Sequence, residues 1–393
     1  VQPASLVNTT TAGQQVFDSI GAQSDGGYTA AWSDNNTAVA IQRYDSAGGK
    51  VGTEVSIPFS RLTTSAVNNS AVTVLRDGSV VVVYETTVPP GIAAEALSFQ
   101  RFDANGAQLS GETTVLPRIS NLPDGPPMPG RAAPRAAALA DGGFVVTWNT
   151  YSEDPQAIFV TVSKQRYDSK AQPVGGVVFV TRYTNARGVS QLLVADREGG
   201  YTLTMFGVNN PVQNFPATTV IHFDAADAAT TIVALAQLSP TPSSKGLGDY
   251  LLLPLAGDRF VLFTREFNFD DHGFPRTDSP GILRQFLDSA GNPVGDATRI
   301  ASMPVDAIEL ADGSFVVFTQ DGAAALNAQR FDASGGALGD PVPVNAVFRT
   351  NAPFFATGRG VAALSGGALA LGWSATPPGG DADVFTQRVL VQN

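Results

Sequence analysis

The chain has 393 residues, 43% of them apolar and only 15% charged, so it can bury a large core and is too apolar and too patterned for disorder. Its 35 acidic against 24 basic residues leave a net charge of −11, a field that disfavours nucleic acid and anionic membrane as partners. There is no cysteine, which excludes disulfides and thiolate chemistry, and no apolar run long enough to insert in a membrane.

The opening Val1-Gln2-Pro3-Ala4-Ser5 shows neither a basic nor an apolar leader region. Pro3 to Asn8 reads as a short strand ahead of the first repeat. From Val16 onward one unit recurs, clearest where Asp141-Gly142-Gly143-Phe144-Val145-Val146-Thr147-Trp148 is followed by Gln165-Arg166-Tyr167-Asp168 and Pro173-Val174-Gly175. Earlier copies start at Asp25 and Asp77. Later ones start at Glu198, Gly257, Asp312 and Ser365, that at 257 being a looser copy and that at 198 the most degenerate. The turn glycines Gly26, Gly78, Gly142, Gly199, Gly257, Gly313 and Gly366 stand 52 to 64 residues apart, the length of four short strands with their loops.

Each unit predicts strand a before Asp-Gly-Gly, strand b through Phe-Val-Val-Thr-Trp, strand c ending in Gln-Arg-Tyr-Asp and strand d after Val-Gly. Asp-Gly-Gly supplies the positive-φ residues of a tight a–b hairpin, and Asp-Ser-Ala-Gly at 45–48 and 288–291 suits an Asp-led c–d turn. The nearly unbroken apolar runs of strand b imply burial on both faces. The last unit stops after strand c, Asp383 to Val389, so the strand at residues 3–8 is expected to supply its missing fourth member. The fold expected is all-β: a seven-bladed β-propeller of four-stranded blades, residues 1–393 forming one domain, closed by the N-terminal strand. Tandem sandwiches need longer units, and a solenoid would need capping ends.

These Asp-Gly-Gly-Phe-Val-Val-Thr-Trp and Gln-Arg-Tyr-Asp repeats resemble those of large secreted bacterial proteins of the RTX type, exported by type I systems. The resemblance implies an extracellular or cell-surface setting, adhesion and calcium, and attachment to a larger polypeptide. The nonapeptide calcium array of that family is missing; Gly379-Gly380-Asp381-Ala382-Asp383 is a single imperfect echo.

The recurring residues have structural work. The Arg of Gln-Arg is expected to pair with a turn or blade carboxylate, with the order inverted in the fifth unit at Arg284-Gln285 and His222 taking the Arg position in the fourth. Asp45, Asp103, Asp168, Asp224, Asp288 and Asp332 are expected to cap turns. Catalytic signals are poor. Two histidines, His222 and His272, exclude a three-histidine zinc site, and no Gly-x-Ser-x-Gly elbow is present. Asp196, Arg197 and Glu198, where an a–b turn diverges, are weak candidates for glycoside chemistry.

Sites are expected where the repeat breaks. Three such segments stand out: Ile119 to Arg135 with Asp124, Asn149 to Ile158, and Glu266 to Asp278. The ligand-binding candidates are Tyr151, Glu153, Asp154, Phe269, His272 and Arg276, with Phe267 and Phe274 adding stacking surface. Asp270, Asp271 and Asp278 offer hard oxygen ligands suited to Ca2+. The function expected is a secreted or cell-surface binding, adhesion or structural module whose ligand is a glycan or a protein. A polysaccharide hydrolase or lyase with its site at the propeller mouth and a calcium-stabilised scaffold are the alternatives.

Overall fold

The recurring turns and runs fold into seven four-stranded antiparallel sheets, each with its strands in chain order except the last. The computed structural model describes residues 4–35, 38–58, 70–86, 96–116, 134–151, 159–184, 186–209, 218–234, 245–257, 259–268, 281–302, 304–320, 325–347, 359–375 and 381–390. After a short strand β1 (Ser5–Leu6), blade 1 holds β2 (Gln15–Ala22), β3 (Tyr28–Asp34), β4 (Ala38–Tyr44) and β5 (Lys50–Pro58). Blade 2 holds β6 (Ser70–Val74), β7 (Val80–Thr86), β8 (Ala96–Phe102) and β9 (Thr113–Leu116). Blade 3 holds β10 (Arg135–Ala138), β11 (Phe144–Tyr151), β12 (Phe159–Tyr167) and β13 (Pro173–Thr184). Blade 4 holds β14 (Ala186–Ala195), β15 (Tyr201–Asn209), β16 (Thr218–Phe223) and β17 (Ala229–Ala234). Blade 5 holds β18 (Lys245–Leu255), β19 (Arg259–Asn268), β20 (Gly281–Leu287) and β21 (Pro293–Ile300). Blade 6 holds β22 (Pro304–Glu309), β23 (Phe315–Gln320), β24 (Ala325–Phe331) and β25 (Ala337–Val347), and blade 7 holds β26 (Arg359–Ala363), β27 (Ala368–Ala375) and β28 (Asp383–Leu390). The fold is a seven-bladed β-propeller.

The fourth strand of blade 7 is β1, which pairs antiparallel with β28 through Ser5 opposite Thr386 and Leu6 opposite Phe385. The backbone continues the pairing as Val7 N–H donates to Val384 O at 2.8 Å. Asn8 then locks it. Its amide accepts from Val384 N–H and donates to Asp383 Oδ1, both at 2.8 Å and both buried.

The strands fall into two compact units, Val1–Val189 with Ala356–Leu390, and Ser190–Phe355 with Val391–Asn393. In the first unit, β7 shows why strand b is apolar throughout. Val80, Val82 and Tyr84 pack with Ala31, Ile41 and Ile57 of blade 1, whereas Val81 and Val83 pack with Phe144, Val146 and Trp148 of blade 3. In the second unit, Phe260 and Leu262 of β19 join the layer with Val220 of blade 4, and Val261 and Phe263 join Phe315 and Val317 of blade 6. A strand in mid-propeller thus has a core on each side, and alternation disappears.

An aromatic pair recurs at the a–b end of the sheets. The first residue of strand b lies opposite the residue before the c–d turn, and the rings stack: Tyr28 on Tyr44 at 4.6 Å, Phe144 on Tyr167 at 4.9 Å, Tyr201 on Phe223 at 5.0 Å and Phe315 on Phe331 at 5.3 Å. This contact is the reason for an aromatic residue in both halves of the repeat.

Candidate functional site

The repeated polar residues are consumed by the blades. In four blades the Arg of Gln-Arg reaches the Asp of the a–b turn: Arg43 to Asp25, Arg101 to Asp77, Arg166 to Asp141 and Arg330 to Asp312. The carboxylate also accepts the N–H two residues on, as Asp141 does from Gly143 at 2.8 Å. Turn hydrogen bonds and a charge-assisted latch hold Asp25 and Asp312 below the usual carboxylate range, chiefly through Gly27 N–H for the first and the Ser314 hydroxyl for the second. The Gln has its own task. Strand d carries a bulge at a glycine of positive φ, Gly52, Gly175, Gly295 and Gly339, and the Gln amide ten residues earlier donates to carbonyls across it. The six turn aspartates expected to cap do cap: each accepts N–H groups two and four residues ahead.

Blade 5 corrects the sequence reading, and blade 4 follows it. In blade 5 the order is not inverted: Gln285 stitches the bulge through Phe286 O and Val294 O, and Phe286 occupies the Arg position opposite Val261. Arg284 instead lies over the Phe331 ring at 4.9 Å, its pKa lowered by burial. In blade 4 His222 does take the Arg position, opposite Thr202, with Asp196 at 3.7 Å.

Asp196, Arg197 and Glu198 make contacts within and between turns. Asp196 caps its turn, accepting from Glu198 N–H and Gly200 N–H. Arg197 donates to Leu310 O at 2.8 Å and lies 3.7 Å from Glu309, while Glu198 accepts from Gly257 N–H at 3.2 Å. Burial raises the Glu309 carboxyl, which accepts from Ala256 N–H at 2.8 Å. These contacts tie the a–b turns of blades 4, 5 and 6.

Of the expected ligand and calcium residues, Glu153, Asp154, Phe269, Asp270, Asp271, His272, Phe274, Arg276 and Asp278 lie outside the described residues, as does Asp124. Tyr151 ends β11, opposite Val160. Among the described residues no group of three or more His, Asp or Glu side chains is placed to hold a metal ion.

Further non-repeated polar groups come together at the b–c end of blade 1. Gln15 Oε1 accepts from the Trp32 indole at 3.1 Å, and its amide donates to Asp34 at 2.8 Å. Asp381, from the segment before β28, accepts from Gly13 N–H at 2.7 Å and Gln14 Nε2 at 3.3 Å. Asp18 is the group that sequence reasoning missed. It is the extra residue of a bulge in β2, between Phe17 opposite Trp32 and Ser19 opposite Ala31. Half-buried, it accepts from the Ser33 hydroxyl at 2.6 Å. Burial pushes its carboxyl up to about 7, outweighing the hydrogen bonds from Ser33. Near neutral pH Asp18 is therefore present in both its protonated and its ionised form and can donate as well as accept. Blade 6 places Val305 at the corresponding bulge, so no blade geometry requires an acid there.

No protein-family model matches this sequence, and no curated protein matches it. The chain is a seven-bladed β-propeller. It is similar to a Penicillium chrysogenum α-L-arabinanase complexed with arabinobiose, 12% identical with a TM-score of 0.50 over 85% of this chain and 97% of that one. It is also similar to a prolyl endopeptidase, 12% identical with a TM-score of 0.51 over 97% of this chain and 51% of that one. At such identity the likeness is one of fold.

Proposed function

We propose that this chain is a glycan-binding propeller of a secreted or cell-surface protein, with its ligand received at the b–c end of blade 1. The observation that supports this is Asp18, a carboxyl half-buried at a cost to stability in a bulge that blade 6 fills with valine. A carboxyl that can both donate and accept near neutral pH matches sugar hydroxyls, which both accept and donate. The arabinanase that shares the fold binds arabinobiose, so a sugar ligand is compatible with the scaffold. A glycan array followed by calorimetry tests the reading: the protein is expected to bind a glycan, and Asp18→Ala to weaken it at least tenfold. No glycan bound, or binding unchanged in Asp18→Ala, overturns it.

The protonated state of Asp18 also favours a second reading, polysaccharide hydrolysis with Asp18 as general acid. Reducing-sugar release from the array's best ligand, lost in Asp18→Asn, would support hydrolysis. Binding without release leaves the first reading.

A further inference from the structure

We infer that Arg388 in blade 7 is a binding site for a carboxylate supplied from outside the blade. The inference rests on the latch, independently of the Asp18 reading. The a–b turn is framed by one backbone hydrogen bond, Leu139 N–H to Gly143 O in blade 3 and Leu364 N–H to Ala368 O in blade 7, both at 2.8 Å. Counting within that frame, Gly366 occupies the place of Asp141. The strand pairing agrees, since Ala370 faces Arg388 as Val145 faces Arg166. The last blade therefore keeps the arginine and has lost its acid.

Blade 5 shows the alternative outcome. There Gly257 holds the acid's position and Phe286 the arginine's, so both halves of the latch are gone together. Blade 7 has also lost the second partner of the guanidinium. Arg101 and Arg330 donate through Nε to Ser79 and Ser314 at 2.9 Å, the position that Ala368 fills in blade 7. The Arg388 Nε is buried and has no hydrogen-bond partner among the described residues. A buried donor left unmade is costly, and a planar fork at the register where four sister blades hold a carboxylate suits that group. The place is reachable: the latch acids Asp25, Asp77, Asp141 and Asp312 have side chains 49–57% exposed, and a Cβ built on Gly366 meets nothing within 4 Å.

The chemistry named is a single carboxylate, borne by a uronic acid sugar or by an acidic side chain. The test follows the Arg388 Nε–H resonance in 15N-labelled protein titrated with methyl galacturonoside, N-acetylaspartate amide or sodium sulfate. A saturable shift with one or both carboxylates, at least tenfold tighter than with sulfate, is expected, and the stronger probe identifies the source. Arg388→Met should abolish binding measured by calorimetry. Gly366→Asp, which restores an internal acid and leaves the arginine in place, should abolish it too and raise Tm relative to Gly366→Asn. An Nε–H that does not move with either carboxylate, or equal binding to Gly366→Asp, overturns the proposal. Failure of the glycan array alone would leave it standing.

Discussion

Arg166 Nη2 lies 2.8 Å from Asp141 Oδ2, joining the end of one hairpin to the turn of another within blade 3. Arg166 is 7% exposed on its side chain and Asp141 49%, so the two halves of the latch carry unequal risk. Removing Asp141 takes the carboxylate away from a guanidinium that is largely shielded from water. Removing Arg166 leaves a turn carboxylate that water can still solvate and that still accepts from Gly143 N–H. Asp141→Ala is expected to cost about 2 kcal/mol and the pair to couple by about 1 kcal/mol in a double-mutant cycle with Arg166→Met, read by urea denaturation. Coupling near zero would mean the repeat keeps Arg for its stem alone.

Asp18 sets the pH dependence near neutrality. Its folded pKa is raised to about 7 from 3.8, so folding retains a proton that the unfolded chain has released between those values. The associated stability is complete below pH 3.8 and lost as pH rises through 7. Asp25 and Asp312 act oppositely and in another window: their lowered pKa values stabilise above pH 3.8, and that contribution is lost on acidification. Raising pH from about 5.5 to about 8.5 is therefore expected to lower wild-type stability by about 2 kcal/mol, and Asp18→Asn to flatten the profile. Thermal melts at the two pH values check it.

How much of this was legible depends on what repeats. The spacing of Asp-Gly-Gly turns and the missing strand after Val389 point to seven blades and to the role of residues 5–6, because a propeller writes the same hairpin demands seven times. The Arg latch is legible for the same reason. The Gln stitch escapes a reading by residue type, although Gln42 to Gly52, Gln165 to Gly175, Gln285 to Gly295 and Gln329 to Gly339 keep one spacing that only a cross-strand contact explains. Gly366 falls one residue out of place in the sequence, since Ser365-Gly366-Gly367 resembles Asp-Gly-Gly in letters while the hydrogen-bond frame sets it otherwise. Asp18 cannot be seen in sequence: a bulge is a property of register, and one aspartate in an alternating strand carries no mark of it.

Two glycines separate backbone freedom from space. Gly175 has φ +70 and nothing within 4 Å of where a Cβ would stand, so Gly175→Ala meets only the left-handed penalty, about 1 kcal/mol. Gly372 has ordinary φ, yet its Cβ would stand 2.1 Å from Phe17 Cε2, a fully buried ring between blades 7 and 1. Gly372→Ala is expected to cost about 3 kcal/mol because Phe17 has no room to withdraw. The order of the two variants in chemical denaturation is the measurement. A larger loss for Gly175→Ala would contradict the packing described for Phe17.

The N-terminal closure should be as fragile as its hydrogen bonds are few. β1 contributes two residues, so its hold on β28 depends on the buried Asn8 amide, which is 2% exposed and bonded to Val384 N–H and Asp383 Oδ1. Asn8→Ala leaves one buried backbone donor and one buried carboxylate oxygen unpaired and is expected to destabilise by about 2–4 kcal/mol. Asn8→Asp separates the two contacts: it keeps the acceptor for Val384 N–H but sets a carboxylate against Asp383, so it should approach the alanine variant at about pH 7 and recover toward wild type near about pH 4, where one proton can be shared. Hydrogen exchange resolves where the loss falls. Amides of β28 facing β1, Val384 first, should exchange faster in Asn8→Ala while those of β7 and β11 keep their protection, because the closing strand can detach before the blade cores open. Uniform acceleration across β7, β11 and β28 would instead show that the short strand governs the global stability of its unit.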